Sequence, residues 1–407
     1  MTEADSHAIV IVGGGHAAAQ LCNGLAAAGL GARVHLVCEE PELPYHRPPL
    51  SKSFLRNPQE GLQAHREAAW YGDAGIALHR GEPVLEIDRA RRCVRLRSGL
   101  ELGYSQLVLA TGARPRRLPH LPAGLGNVAE LRSAADAQRL RASLASAENV
   151  TVLGGGFIGL EIAAGAHALG KRVTVLESAP RLLLRSVSAE LAAHVLQTHR
   201  SAGIDVRLGV AVGDFEVVEG RLQSLHAAGV REPVDLLVLG IGAVPEHALA
   251  SAAGLDCDNG IVVDEHMRSS DPAILAVGDC TSFPEPTSGR RLRLESVQNA
   301  NDQARAALAT LLGNPQPYRA LPWFWSEQGG LRLQMAGLLP PQCTTHRRHG
   351  ATAASFSLLH YVGERLACVE SANAPLDHIS ARKLLEAGRS PEPALACDPQ
   401  IALKTHL

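Results

Sequence analysis

The sequence predicts an α/β protein in which one local unit occurs twice, followed by a smaller α+β region. Three observations carry that expectation. A short β-branched run, a glycine turn, an Ala-rich helical stretch and a second apolar strand open the chain. The same series returns in the middle of the chain. Beyond Pro315 the texture changes to alternating runs such as Leu331-Arg332-Leu333-Gln334-Met335 and Ser355-Phe356-Ser357-Leu358, the period of an antiparallel sheet.

Each element follows from its residues. Ala8-Ile9-Val10-Ile11-Val12 reads as a buried strand, and Gly13-Gly14-Gly15-His16-Ala17-Ala18 as a turn opening a helix. Leu21, Leu25 and Ala28 recur at helical spacing, and Gly29 supplies the stop. Val34-His35-Leu36-Val37 returns as a strand that ends at Glu39-Glu40. In the second copy the strand is Val150-Thr151-Val152-Leu153, and the turn is Gly154-Gly155-Gly156-Phe157-Ile158-Gly159. Ala163, Ala166 and Leu169 mark its helix, Gly170 the stop, and Arg172-Val173-Thr174-Val175-Leu176 a strand leading to Glu177. Such an internal repeat decides the fold. Three further apolar strands begin at Leu107, Leu236 and Ile274, and run into Ala110-Thr111-Gly112, Gly240-Ile241-Gly242 and Gly278-Asp279. Arg114-Pro115-Arg116-Arg117 reads as a crossover linker.

Composition narrows the class. In 407 residues there are only 6 Phe, 3 Trp and 5 Tyr, so the cores must be built from Ala, Val, Leu and Ile. The net charge of −2 argues against a global nucleic-acid or polybasic membrane footprint. No stretch approaches the ~18 uninterrupted apolar residues of a membrane span. The polar, acidic start Met1-Thr2-Glu3-Ala4-Asp5 does not resemble a signal peptide, so a cytoplasmic location is expected. The eight cysteines form no C-x-x-C pair, and buried free thiols are expected. No metal site is expected either: H-E-x-x-H is missing, and His346 with His349 is an isolated pair. G-x-S-x-G, the mark of a nucleophilic serine, is missing too.

A G-x-G-x-x-G/A turn between a strand and a helix lets backbone N–H groups approach a pyrophosphate, and an acid ending the next strand can accept ribose hydroxyls. Both turns have that acid, Glu39 and Glu177. Two such sites in one chain point to FAD together with a nicotinamide nucleotide.

The chain also carries Tyr45-His46-Arg47-Pro48-Pro49-Leu50-Ser51-Lys52, Ala110-Thr111-Gly112-Ala113-Arg114-Pro115, Ala276-Val277-Gly278-Asp279, Glu295-Ser296-Val297-Gln298-Asn299-Ala300 and Pro322-Trp323-Phe324-Trp325-Ser326. With these it resembles, over nearly its whole length, the ferredoxin reductases of the two-dinucleotide-binding-domain flavoprotein class. That group includes the putidaredoxin-reductase type and the reductase components of biphenyl-type ring-hydroxylating dioxygenases. The resemblance implies two Rossmann-like domains of the glutathione-reductase-like FAD/NAD fold plus a C-terminal α+β domain. It places a split FAD-binding domain at 1–112 and 243–319, the NAD-binding domain at 113–242 and the C-terminal domain at 320–407.

By the same resemblance, FAD is held by Gly13, Gly15, His16, Ala17, Glu39, Arg47, Lys52, Ala110, Thr111, Gly112, Arg114, Asp279, Val297 and Trp325. The nicotinamide cofactor falls to Gly154, Gly156, Ile158, Gly159, Glu161, Glu177 and Gly242. Lys52, Glu161 and Trp325 take the catalytic positions: Lys52 near the isoalloxazine, Glu161 as its partner, Trp325 flanking the ring. A carboxylate that accepts the ribose 2′-hydroxyl repels a 2′-phosphate, so Glu177 favours NADH over NADPH, with Arg181 and Arg185 close by in sequence. The implied activity passes electrons from NADH through FAD to a [2Fe-2S] ferredoxin that serves a Rieske dioxygenase or a cytochrome P450. Docking is expected near Arg290, Arg291 and Arg293, with Arg305 and Arg332 following, on a monomer or homodimer. Rival readings are an NADH oxidase, a rubredoxin reductase, or an NADH-responsive interaction protein resembling apoptosis-inducing factor.

Overall fold

A computed structural model describes residues 7–285 and 289–407. The chain forms two compact units, one of residues 1–47, 61–114 and 243–320, the other of 48–60, 115–242 and 321–407.

The first unit is organised by a parallel sheet in the order Ile274–Ala276, Gln106–Leu109, Ile9–Val12, Val34–Cys38, Ala77–Arg80. Ile9–Val12 is buried along its length and pairs with a strand on either side, in register Ile9 with Val34 and Ile9 with Gln106. A strand covered on both faces has no polar side to show, which is why this run reads as unbroken Ile and Val. The helix His16–Ala27 buries Ala17, Ala18, Leu21, Cys22 and Leu25. Gly24 on its flank lets Leu308 of the helix Val297–Leu311 press close, because a Cβ there would overlap the leucine side chain. Gly29 ends the first helix at φ +74°, with its N–H on the Ala26 carbonyl.

The second unit repeats the plan. Its parallel sheet runs Asp205–Leu208, Arg172–Glu177, Asn149–Leu153, Leu236–Leu239, Val128–Ala129, with Val150 opposite both Val173 and Leu236. The helix Phe157–Ala168 follows the central strand, and Gly170 at φ +79° stops it. The expected antiparallel tail belongs to the same unit. It forms a sheet in the order Trp323–Gln328, Leu331–Gly337, Arg365–Ala372, Phe356–Val362, Thr344–His349. Leu359, Tyr361, Leu366 and Val369 of that sheet share a core with Ala381 and Leu384 of the helix Pro375–Glu386.

Two expectations are corrected. The run at Arg114 is not a bare linker: Ala113–Pro115 is a short strand paired with Ala243–Pro245. Nor are all the thiols buried, because Cys343 is exposed while Cys257 and Cys397 are half-buried. Among the described residues no helix is long and apolar enough to cross a membrane.

His378 sits in the core side of the last long helix, and neither ring nitrogen has a hydrogen-bond partner. Burial, aided by the Arg382 and Arg332 charges, pushes its imidazole down to about 4 from the ordinary 6.5. Between those values the unfolded chain binds more protons than the folded one, so the stabilisation is complete above the ordinary value and is lost as pH falls toward the folded one. Thermal unfolding at a fixed scan rate should show Tm dropping from about pH 7 to about pH 5. In His378→Leu that drop should be smaller.

Candidate active site

The two glycine turns are built alike. Gly13 has φ +122° and Gly154 φ +107°, values that side chains rarely adopt. A Cβ on Gly13 would overlap the Ala110 carbonyl oxygen, and one on Gly154 the Gly240 carbonyl oxygen. Gly159 lies as close to its own turn, since a Cβ there would sit 2.5 Å from the Gly154 oxygen. These are the positions where strand, turn and helix meet backbone to backbone.

Gly15 and Gly156, by contrast, have room beside them. A Cβ on Gly15 would meet nothing within 4 Å, and one on Gly156 only the Gly240 oxygen at 3.7 Å. Both glycines are helix N-caps without a side-chain cap, and neither first turn holds an acid. Three other helices of the chain begin at Ser133, Ser188 and Ser296, whose hydroxyls accept an N–H of the first turn. At the glycine turns those donors are left for an anion, the arrangement that suits a pyrophosphate. The residues therefore fit one dinucleotide on each turn. Ile158, an expected contact, is 47% exposed beside the second turn.

Glu177 ends its strand as expected, and its carboxylate also braces the turn: Oε2 accepts the Gly155 N–H at 2.6 Å and Oε1 the Ala179 N–H at 2.6 Å. A carboxylate has lone pairs to spare for a hydroxyl beyond these two bonds. Arg181 directs its guanidinium to the carbonyls of Val187 and Leu184, at 2.9 Å each. Glu39, its counterpart in the first unit, is exposed just past the strand end at Cys38.

Lys52 and Glu161 meet within the second unit. Lys52 Nζ donates to Glu161 Oε2 at 2.7 Å, and the Glu161 residue is 5% exposed. The sequence missed the other two donors: Ser51 Oγ lies 2.5 Å from Oε2, and Ser326 Oγ 2.6 Å from Oε1. A buried carboxylate is tolerable only when paired and hydrogen-bonded, and here both conditions are met. Ser326 follows Trp325 on one strand, so the polar cluster and the tryptophan share a backbone. Phe157 beside Phe324, with ring centroids 4.7 Å apart, and Trp323 beside Trp325 at 5.6 Å complete an aromatic group.

In the first unit Arg47 Nη2 is 2.6 Å from Glu40 Oε1, and its Nη1 is 3.2 Å from the Tyr45 hydroxyl. Thr111 Oγ1 donates to the Glu246 carbonyl at 2.5 Å, next to Ala110 and Gly112. Arg114, more than half exposed, pairs with the Glu246 carboxylate at 3.2 Å. The turn before Asp279 is fixed by the Gly278 N–H on Gln303 Oε1 at 2.7 Å. Val297 opens the long helix capped by Ser296. Gly242, at φ +104°, lies beyond the strand Leu236–Leu239. Of the expected docking residues, Arg291 is spent on the Val263 carbonyl and Ser282, while Arg293 pairs with Glu295 and Asn259. Arg305 pairs with Asp302, and Arg332 lies 4.0 Å from Glu327. Arg290 is exposed.

The thiol packed against the first turn is not a reactive one. Cys38 is buried beneath Gly14, and burial, then the Glu40 charge, pushes its thiol up to about 12. A thiol so placed holds its proton and is a poor nucleophile.

Two dinucleotide-fitted glycine turns on parallel sheets, joined to a separate antiparallel sheet, define a flavin- and nicotinamide-dependent reductase as the class of protein. Residues 7–304 match the pyridine nucleotide-disulphide oxidoreductase family, and residues 323–407 match the reductase C-terminal family. The chain belongs to the pyridine nucleotide-disulphide oxidoreductase family. It is 42% identical to rhodocoxin reductase of Rhodococcus erythropolis, covering 97% of this chain and 93% of that one. Identity is 41% to the ferredoxin–NAD(+) reductase component of the anthranilate 1,2-dioxygenase system of Burkholderia cepacia, covering 98% of each. The fold superposes on the reductase of a covalent putidaredoxin reductase–putidaredoxin complex with a TM-score of 0.93, at 38% identity and 98% coverage of both.

Removing one partner of the buried pair strands the other. Lys52→Met should lower unfolding stability by about 3 kcal/mol in denaturant titrations. The double variant Lys52→Met/Glu161→Gln should recover most of that loss, because no buried charge remains.

Proposed function

We propose that this protein is an NADH-dependent ferredoxin reductase that supplies electrons to an oxygenase through a [2Fe-2S] ferredoxin. The observation that carries the reading is the pair of uncapped glycine turns, one for FAD and one for NADH, in a chain with no C-x-x-C pair. The flavin, when bound, takes up two electrons as a hydride and releases them singly. The protein's part is to hold and orient. Backbone N–H groups at Gly15 and Gly156 bind the pyrophosphates, Glu39 and Glu177 receive ribose hydroxyls, and the remaining FAD contacts fall to Arg47, Thr111, Arg114, Asp279 and Val297. Lys52, kept by Glu161 from standing as a lone buried charge, offers a cation for negative charge arriving at the ring, with Trp325 as its flank. None of these groups acts as a nucleophile, so positioning and electrostatics supply the acceleration. The domain assignment we propose is FAD to 1–112 and 243–319, NADH to 113–242, and the antiparallel domain to 320–407.

With Cys22, Cys38 and Cys280 buried and no C-x-x-C pair in the sequence, we infer that the electrons leave the molecule. That favours an external one-electron carrier. Stopped-flow reduction by NADH, followed by mixing with a [2Fe-2S] ferredoxin, tests the reading. Rapid ferredoxin reduction is expected. NADH consumption with oxygen alone, unchanged by added ferredoxin, would overturn it in favour of an oxidase. Of the docking cluster, Arg290 is the residue to reverse, because Arg291 and Arg293 hold the local fold. Arg290→Glu should slow ferredoxin reduction at low salt and leave ferricyanide reduction intact.

Glu177 and the engaged Arg181 both select against a 2′-phosphate. NADH should be preferred over NADPH by at least about tenfold in kcat/KM, ~1.4 kcal/mol of discrimination. Glu177→Gln should narrow that ratio, and equal efficiency of the two nucleotides with the unaltered protein would remove the assignment.

A further inference from the structure

Three histidines far apart in sequence converge in the first unit. One ligand nitrogen from each of His16, His46 and His65 lies within 4.8 Å of the other two. The rings are not stacked flat: His16 meets His65 at 4.7 Å and 84°, and His46 at 5.5 Å and 69°, while His46 and His65 lie 3.9 Å apart at 49°. The backbone holds two of them side by side. His46 N–H donates to the Gln63 carbonyl at 2.9 Å and His65 N–H to the Pro44 carbonyl at 2.8 Å, around the Tyr45–Ala64 bridge. His16, the first residue of its helix, gives its backbone to the glycine turn and its ring to this cluster.

We infer that His16, His46 and His65 form a binding site for one divalent ion of the zinc class. The buried Nε2 of His65 has no hydrogen-bond partner, a state that costs about 1–3 kcal/mol unless something occupies the lone pair or takes the proton. A metal ion does the first. Three imidazoles form a donor set for Zn²⁺, Cu²⁺, Ni²⁺ or Co²⁺ and not for Mg²⁺ or Ca²⁺. Exposure is graded, with His16 buried, His65 half-buried and His46 exposed, so an ion has an entry side. Arg47, a neighbouring cation, is already paired with Glu40. Three protein ligands leave a fourth position to water. The ion ties the segments around His46 and His65 to the start of the helix that carries the first glycine turn.

The test uses untagged, FAD-loaded protein, stripped with a chelator and dialysed against Zn²⁺. One retained equivalent and a raised Tm are expected. His46→Ala and His65→Asn should each weaken Zn²⁺ binding by at least about tenfold and abolish the Tm rise, with FAD content unchanged. On the unaltered protein loaded with Cu²⁺, spin-echo modulation from remote imidazole nitrogens should report more than one histidine. Equal Zn²⁺ retention by the two variants, or Cu²⁺ modulation from a single imidazole, would overturn the assignment and leave only adventitious surface binding.

Discussion

The structure turns on a backbone contact that no side chain can join. At Gly13 and Gly154 the chain leaves a buried strand and passes so close to a neighbouring carbonyl, Ala110 or Gly240, that a methyl group cannot be accommodated. Everything useful follows from that approach. It sets the following helix with no side chain capping its first N–H groups, and it places the strand end within reach of the acid on the next strand. In the second unit the Glu177 carboxylate even bonds the Gly155 N–H of the turn. The geometry of both turns is thus set by main chain.

Much of this was legible in the residues. The buried strands are unbroken apolar runs, the turns are glycine, the helix stops are Gly29 and Gly170, and the alternation after Pro315 does mark an antiparallel sheet. Local signals of this kind need only a few neighbouring positions. What stayed hidden depends on distant ones. Ser51 and Ser326 reach the same carboxylate from positions 110 and 165 residues away from Glu161, and serine carries no pattern that announces such a role. The histidine cluster was hidden for the same reason, since its members share no helix or strand. Arg291 shows the opposite failure. A run of arginines reads as a charged face, yet one guanidinium is turned inward to satisfy the Val263 carbonyl.

Cysteine illustrates how environment overrides composition. Eight thiols in a family named for disulphide chemistry invite a redox reading. Burial under Gly14 and the Glu40 charge keep Cys38 protonated, and no partner thiol stands at C-x-x-C spacing. The dinucleotide scaffold is thus present without a C-x-x-C pair, a separation of scaffold from chemistry that is common among widely used folds.

The donors around Glu161 also impose an order on synthesis. Ser51 and Lys52 emerge first, Glu161 next, and Ser326 only when four-fifths of the chain has been made. Until Trp323–Gln328 arrives, one oxygen of the carboxylate lacks its hydroxyl, and water must stand in for it. The Glu161 cluster cannot be completed during translation of the repeat that contains it. Its completion is a late, long-range event, and a chain truncated before that strand carries a finished nucleotide turn beside an unfinished polar cluster.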